Sequence, residues 1–141
     1  MLTEDYVSLK TAKLLKEKGF NISCDSYYAW YESDITLYTG YVCDFSDNPF
    51  NYNNCNDKIS RPSQSLALKW LREIHGIEII IDVCKCGEEC KTMYTWTPVI
   101  VKKRNLEFPI SQANGSIFGG LCEMYKESVE KGIIYSLENL I

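Results

Sequence analysis

The 141-residue chain reads as a single α+β domain. Three observations predict it. Two segments, 8–19 and 62–75, carry apolar residues at helical spacing between a capping signal and an exit glycine. Runs rich in β-branched and aromatic residues follow each of them, with turn residues between the runs. A third helical segment closes the chain. The length suits one buried core, and 45% hydrophobic with 24% charged residues is ordinary globular composition.

Ser8 is the expected N-cap of the first helix and Gly19 its stop. Leu9, Ala12, Leu14 and Leu15 fall on one broad side of that helix. Lys10, Lys13, Lys16 and Glu17 fall on the other, expected to be a solvated face. Strands are expected over 21–31 and 35–43, with Glu32-Ser33-Asp34 as the turn. Residues 44–62 are polar and rich in Asn, Asp and Ser, which favour turns by bonding nearby backbone. A structureless loop of that length is uncommon in a compact domain and often functional. The second helix opens at Pro62 and exits at Gly76. Leu66, Ala67, Trp70, Leu71 and Ile74 share its apolar face. Ile77–Cys84 reads as a strand, its three successive isoleucines suggesting burial. Met93–Lys103 reads as a second strand, which Pro98 marks as an edge or a bulge. Residues 107–120 are irregular. Helix is expected from Leu121 to the end, with stripes Leu121/Tyr125/Val129 and Ile133/Leu137/Leu140. The two stripes are rotated against each other, which predicts a kink or a change of packing partner at Gly132.

Ser8-Leu9, Leu14 and Gly19-Phe20-Asn21-Ile22 echo Ser65-Leu66, Leu71 and Gly76-Ile77-Glu78-Ile79 at an offset of 57. A duplicated αββ unit plus a C-terminal helix packed on an antiparallel sheet is the architecture this suggests.

The formal net charge is −4 and no Lys/Arg block is present, which argues against a nucleic-acid polymer as partner. The longest apolar runs are far short of the roughly 18–20 residues of a membrane span. The opening Met1-Leu2-Thr3-Glu4-Asp5-Tyr6 carries acid where an export signal carries base. A cytoplasmic protein with reduced thiols is therefore expected, although the seven cysteines also allow a metal site.

Two strings resemble a family of small uncharacterised phage and prophage proteins of gut bacteria. One is Ser8-Leu-Lys-Thr-Ala-Lys-Leu-Leu-Lys-Glu-Lys-Gly-Phe20. The other is Arg61-Pro-Ser-Gln-Ser-Leu-Ala-Leu-Lys-Trp-Leu-Arg-Glu-Ile-His-Gly-Ile77, and the segment 125–141 is similar to that family's closing helix. The resemblance implies a phage-encoded protein made in a bacterial host cell. It implies no activity and no site residues.

Cys84-x-Cys86-x-x-x-Cys90 sets three thiols in one short segment. Zinc takes four tetrahedral Cys or His ligands, and Cys43, Cys55 or His75 would have to supply the fourth. The paired Cys-x-x-Cys knuckle is absent, so plain reduced cysteines are the competing reading. His75, the one histidine, sits at a helix C-terminus, where a protonated ring is favoured by the helix dipole and bonds terminal carbonyls. Half of the 18 aromatic residues lie between Tyr27 and Tyr52. Neighbours such as Tyr27-Tyr28 and Trp30-Tyr31 cannot both point inward on a strand, so Tyr28, Trp30 and Tyr31 are candidate contact residues. The alternative is a tyrosine-rich hairpin with wet hydroxyls. Arg61, Lys69 and Arg72, with His75, are candidate anion ligands or simply a solvated helix face.

Phosphate-loop, dinucleotide, serine-hydrolase and zinc-protease motifs are all missing. The leading expectation is a non-catalytic binding protein, a host-takeover or counter-defence factor that sequesters a host protein or a small nucleotide signal. Next comes a minor virion or assembly component, a homo-oligomer built on the aromatic hairpin. An enzyme with an unfamiliar site ranks last.

Overall fold

A computed structural model describes residues 3–31, 34–38, 49–86, 91–102, 105–109 and 120–141. The chain is α+β and divides into two compact units, Met1–Ala67 and Leu68–Ile141.

The first unit opens with helix α1, Leu9–Glu17. Ser8 caps it, its Oγ accepting from the Thr11 N–H at 3.3 Å. At the far end Phe20 N–H reaches Leu15 O at 2.9 Å and Gly19 N–H reaches Lys16 O at 3.1 Å. That bond pair is a Schellman motif, and it needs the left-handed φ of +85° that Gly19 supplies. Thr11, Ala12 and Leu15 are buried. Lys16 leaves the expected solvated face: its Nζ donates to Cys55 O at 3.0 Å and Lys58 O at 2.8 Å.

Strand β1, Tyr27–Tyr31, lies between β2, Asp34–Tyr38, and β3, Lys58–Ser60, in an antiparallel sheet. Tyr31 pairs with Asp34, so Asp34 belongs to the strand and not to the turn. The strand begins at Tyr27 and not at Asn21, because residues 21–26 make only one isolated bridge, Cys24 to Phe50. Much of the polar stretch 44–62 is built rather than structureless. Tyr52–Asn54 forms a 3-10 turn, and Lys58–Ser60 is β3. Asn53 holds this segment: its Nδ2 donates to Phe20 O at 2.8 Å and its Oδ1 accepts from Ser60 N–H at 2.9 Å. Tyr27, Ala29 and Tyr52 form a buried cluster, the two tyrosine rings 4.3 Å apart.

Helix α2, Gln64–His75, spans the division between the units. It starts after Ser63 and not at Pro62, because the Ser63 Oγ accepts from Leu66 N–H at 3.2 Å and so caps it. Ala67, Trp70 and Leu71 are buried, whereas Ile74, assigned to the same face, is 63% exposed. Gly76 ends the helix with φ +66° and its carbonyl accepts from Val101 N–H at 2.7 Å.

The second unit's antiparallel sheet is formed by β4 (Ile77–Cys86), β5 (Lys91–Lys102), β6 (Asn105–Glu107) and β7 (Gly120–Cys122). β4 pairs with β5 over the whole length of β4, from Ile77 opposite Ile100 to Cys86 opposite Lys91. Burial along β4 alternates, with Ile79 buried and Ile80 exposed, so the isoleucine run is a one-sided strand. β5 is not an edge. It lies between β4 on one side and β6 and β7 on the other. Pro98 is tolerated because Val101 N–H bonds Gly76 O across to β4, so by alternation the backbone of Pro98 faces away from β4. On that side β7 pairs with residues 94–96 and β6 with residues 100–102, and Pro98 falls between them.

Helix α3, Tyr125–Asn139, packs on β4, β5 and β7. Leu121 is in β7, so the closing helix starts later than the sequence suggests. The buried residues form one continuous stripe of Ser128, Val129, Gly132, Ile133, Ser136 and Leu137. One helix with one buried stripe thus replaces the two rotated stripes from which a kink or a change of packing partner at Gly132 was expected, and the small members of the stripe allow a close approach to β4. A Cβ on Gly132 would meet Ile79 Cγ2 at 2.6 Å. The order helix, strand, strand occurs twice along the chain, as α1-β1-β2 and α2-β4-β5, and the antiparallel sheet under the closing helix is as expected. No described helix is long and apolar enough to cross a membrane.

Candidate functional site

The first unit contains a cleft of about 350 Å³ whose walls come from four stretches of chain. Residues 4–6 form the first wall. They are held to residues 62–64 by the Tyr6–Ser63 bridge, with Gln64 N–H donating to Asp5 O at 2.7 Å and Val7 N–H to Pro62 O at 3.1 Å. Residues 23–25 form the second wall. The Cys24–Phe50 bridge fixes them to Pro49 and Phe50 through two backbone bonds of 2.9 and 3.1 Å. Ser26 completes the frame, accepting from Arg61 N–H and donating through its Oγ to Arg61 O.

Glu4 and Asp25 are the carboxylates of the lining, and Tyr6, Ser23 and Ser63 its hydroxyls. Pro49, Pro62 and Leu66 give it an apolar side. Ser65 Oγ donates to Glu4 Oε1, and hydrogen bonds from Ser65 and Ser63 hold the Glu4 carboxyl below the usual carboxylate range. Tyr6 Oη donates to Asp25 Oδ2 at 3.1 Å. Burial, then that bond, raises the Tyr6 phenol further. Cys24 also lines the cleft, its thiol pushed up to about 12 by burial. A thiol so raised is not a thiolate near neutral pH and is a poor nucleophile.

Arg61 stands behind Tyr6. Its guanidinium lies 4.4 Å from the Tyr6 ring centroid and 5.7 Å from that of Tyr28. Its Nε is buried and makes no hydrogen bond among the described residues. Tyr28 Oη donates to Val7 O at 3.0 Å, which fixes the ring. Of the contact residues expected from sequence, the structure therefore brings together Tyr28 and Arg61. Trp30 and Tyr31 lie farther along β1, and their side chains are outside the described residues.

The remaining expected residues belong to the second unit. Lys69 is 3.9 Å from Glu73 and Arg72 is 3.6 Å from Glu78, both exposed pairs. His75 packs edge-on against Trp70 with ring centroids 4.5 Å apart. Burial lowers its pKa, and Nε2 is buried and makes no hydrogen bond among the described residues, so packing against an indole disfavours the protonated helix cap expected from sequence. Cys84 and Cys86 are two residues apart on β4, while Cys90 and Cys43 lie outside the described residues. Among the described residues no group of three or more His, Cys, Asp or Glu is placed to hold a metal.

Sequence reading missed Glu4, Tyr6, Asp25 and Ser63 as cleft residues. Only Ser63 carried a local signal, a serine two residues ahead of Ser65 at the head of a helix. Fold and cleft together define an α+β protein with two antiparallel sheets and a mixed polar and apolar pocket in its first unit. No protein-family model, curated protein or solved structure matches the chain.

Proposed function

We propose that the chain is a non-catalytic binding protein and that the Glu4–Asp25 cleft of its first unit is where it engages its partner. The observation that carries this reading is the cleft's composition. It pairs fixed polar groups with an apolar side, in the manner of recognition sites, and its roughly 350 Å³ lies within the range of such pockets. Acid–base or nucleophilic chemistry has little support there. The single histidine is His75, outside the lining, and the Cys24 thiol stays protonated. In the setting that the resemblance implies, a phage protein in a bacterial cytoplasm, the partner is a host protein. A nucleotide signal fits this cleft less well, because its phosphates would face two carboxylates.

Affinity purification from a bacterial host tests the reading, with Asp25→Lys beside the parent protein and a melting curve to show that the variant folds. A partner retained by the parent and lost in the variant is the expected result. Equal retention by both, or retention by neither, would overturn it. Native mass spectrometry without chelator adds two readouts. A nucleotide-sized mass increment would favour the small signal, and a zinc-sized one would point to Cys84, Cys86 and Cys90.

One observation favours the assembly reading as second choice. Leu106 pairs with Val101, and the pairings of Leu121 with Thr95 and Ile80 with Thr97 place all four apolar residues on one face of the second unit's sheet. All four are exposed. A defined homo-oligomer in the same native spectrum would support it.

A further inference from the structure

We infer that the cleft takes the cationic side chain, arginine or lysine, of a protein partner. This rests on the binding reading of the same cleft and names its ligand chemistry. Among the described residues the lining holds two carboxylates, Glu4 and Asp25, and no Lys, Arg or His, a formal charge of −2. Arg61 offsets part of that charge, but it is committed to the Tyr6 and Tyr28 rings and is not part of the lining. The carboxylates are already oriented. Ser65 and Ser63 donate to Glu4 and Tyr6 donates to Asp25 Oδ2, and a carboxylate's two oxygens have about four lone-pair sites between them, enough to accept an incoming N–H beside these bonds.

Three alternatives fit less well. An anion meets no lining cation. A divalent metal needs more oxygen ligands than two carboxylates give, about six or more for calcium. Among the described residues no three-ligand group exists. A purely apolar group would leave both carboxylates desolvated and unpaired. Arginine and lysine instead have a methylene stem for Pro49, Pro62 and Leu66 and an N–H-rich head for the carboxylates.

The test is a proton–nitrogen NMR titration of the full chain with acetyl-arginine methylamide and acetyl-lysine methylamide, whose only charge is the side chain. Acetyl-norleucine methylamide, putrescine and AMP are the comparison probes. The expected result is saturable shifts of the Ser23–Asp25 and Ser63–Leu66 amides with the arginine or lysine probe. Binding should weaken at least tenfold in Glu4→Gln and in Asp25→Asn, and should weaken with added salt. Norleucine, putrescine or AMP binding as tightly at those amides would overturn the inference. So would the absence of shifts with any probe. Partner capture that depends on Asp25 together with silent cationic probes would leave the binding reading standing and remove only the ligand class. Loss of both would remove the binding reading as well.

Discussion

Gly132 has no room for a side chain, since a Cβ there would meet Ile79 Cγ2 at 2.6 Å. Gly132→Ala is expected to cost about 1–3 kcal/mol, the usual range for overpacking, read as a lower urea midpoint. An unchanged midpoint would mean that α3 can shift off the sheet. Cys24 is buried and its pKa is raised to about 12, whereas Cys55 is half-buried. Iodoacetamide at pH 8 should therefore modify Cys55 well before Cys24, as read by peptide mass mapping. His75 gives a pH effect of fixed sign. Its folded pKa lies below the unfolded value of about 6.5, so the unfolded chain binds the proton first. Stability from this group is full above about pH 6.5 and falls as the pH drops through that value toward the folded one. A melting series from pH 7.5 to 5 should show the loss, and His75→Gln should flatten it. The sequence marked His75 as the residue at the helix end. It could not show Trp70 beside it, because that contact depends on side-chain packing around the turn.

Helix ends were the most legible elements, because capping is local chemistry. Ser8, Gly19 and Gly76 each do what their residue type and position suggest. Pro98 misled, because a proline's place in a sheet depends on which neighbours the other strands supply. Here, among the described residues, β6 and β7 leave a gap in which its missing N–H does no harm. A proline one residue earlier separates the two explanations. Thr97 faces β4 by the same alternation, so Thr97→Pro removes a ladder donor opposite Ile80. It should cost at least about 0.5–1.5 kcal/mol in denaturant unfolding, the net worth of the lost ladder hydrogen bond. The start of α3 was misplaced because Leu121, Tyr125 and Val129 keep helical spacing by coincidence, with Leu121 in a strand. The Asn-rich stretch looked like loop because its order comes from Asn53 bonding to Ser60 across the stretch and to Phe20, far back in the chain, which no periodic pattern encodes.

At the scale of the molecule, α+β content and a final helix on an antiparallel sheet were readable from periodicity. The cleft was not. Glu4, Cys24, Pro49 and Ser63 are far apart in sequence, and only non-local bridges gather them. The boundary between the compact units falls inside α2, after Ala67, which suggests a fragment test. A fragment from Pro62 to Ile141 keeps the Ser63 cap and all of α2, and is expected to melt cooperatively by circular dichroism. A fragment from Leu68 loses the cap and the helix's first turn and should be less stable by about 0.5–2 kcal/mol. The gap at Pro98 has one more consequence, for solubility. Beyond β5 the described sheet ends in two separate strands of three residues each, Asn105–Glu107 and Gly120–Cys122. A second copy approaching that border finds two short templates with an interruption between them. Long, even borders are the ones that invite chains to stack into fibrils, and this one is broken where the proline stands.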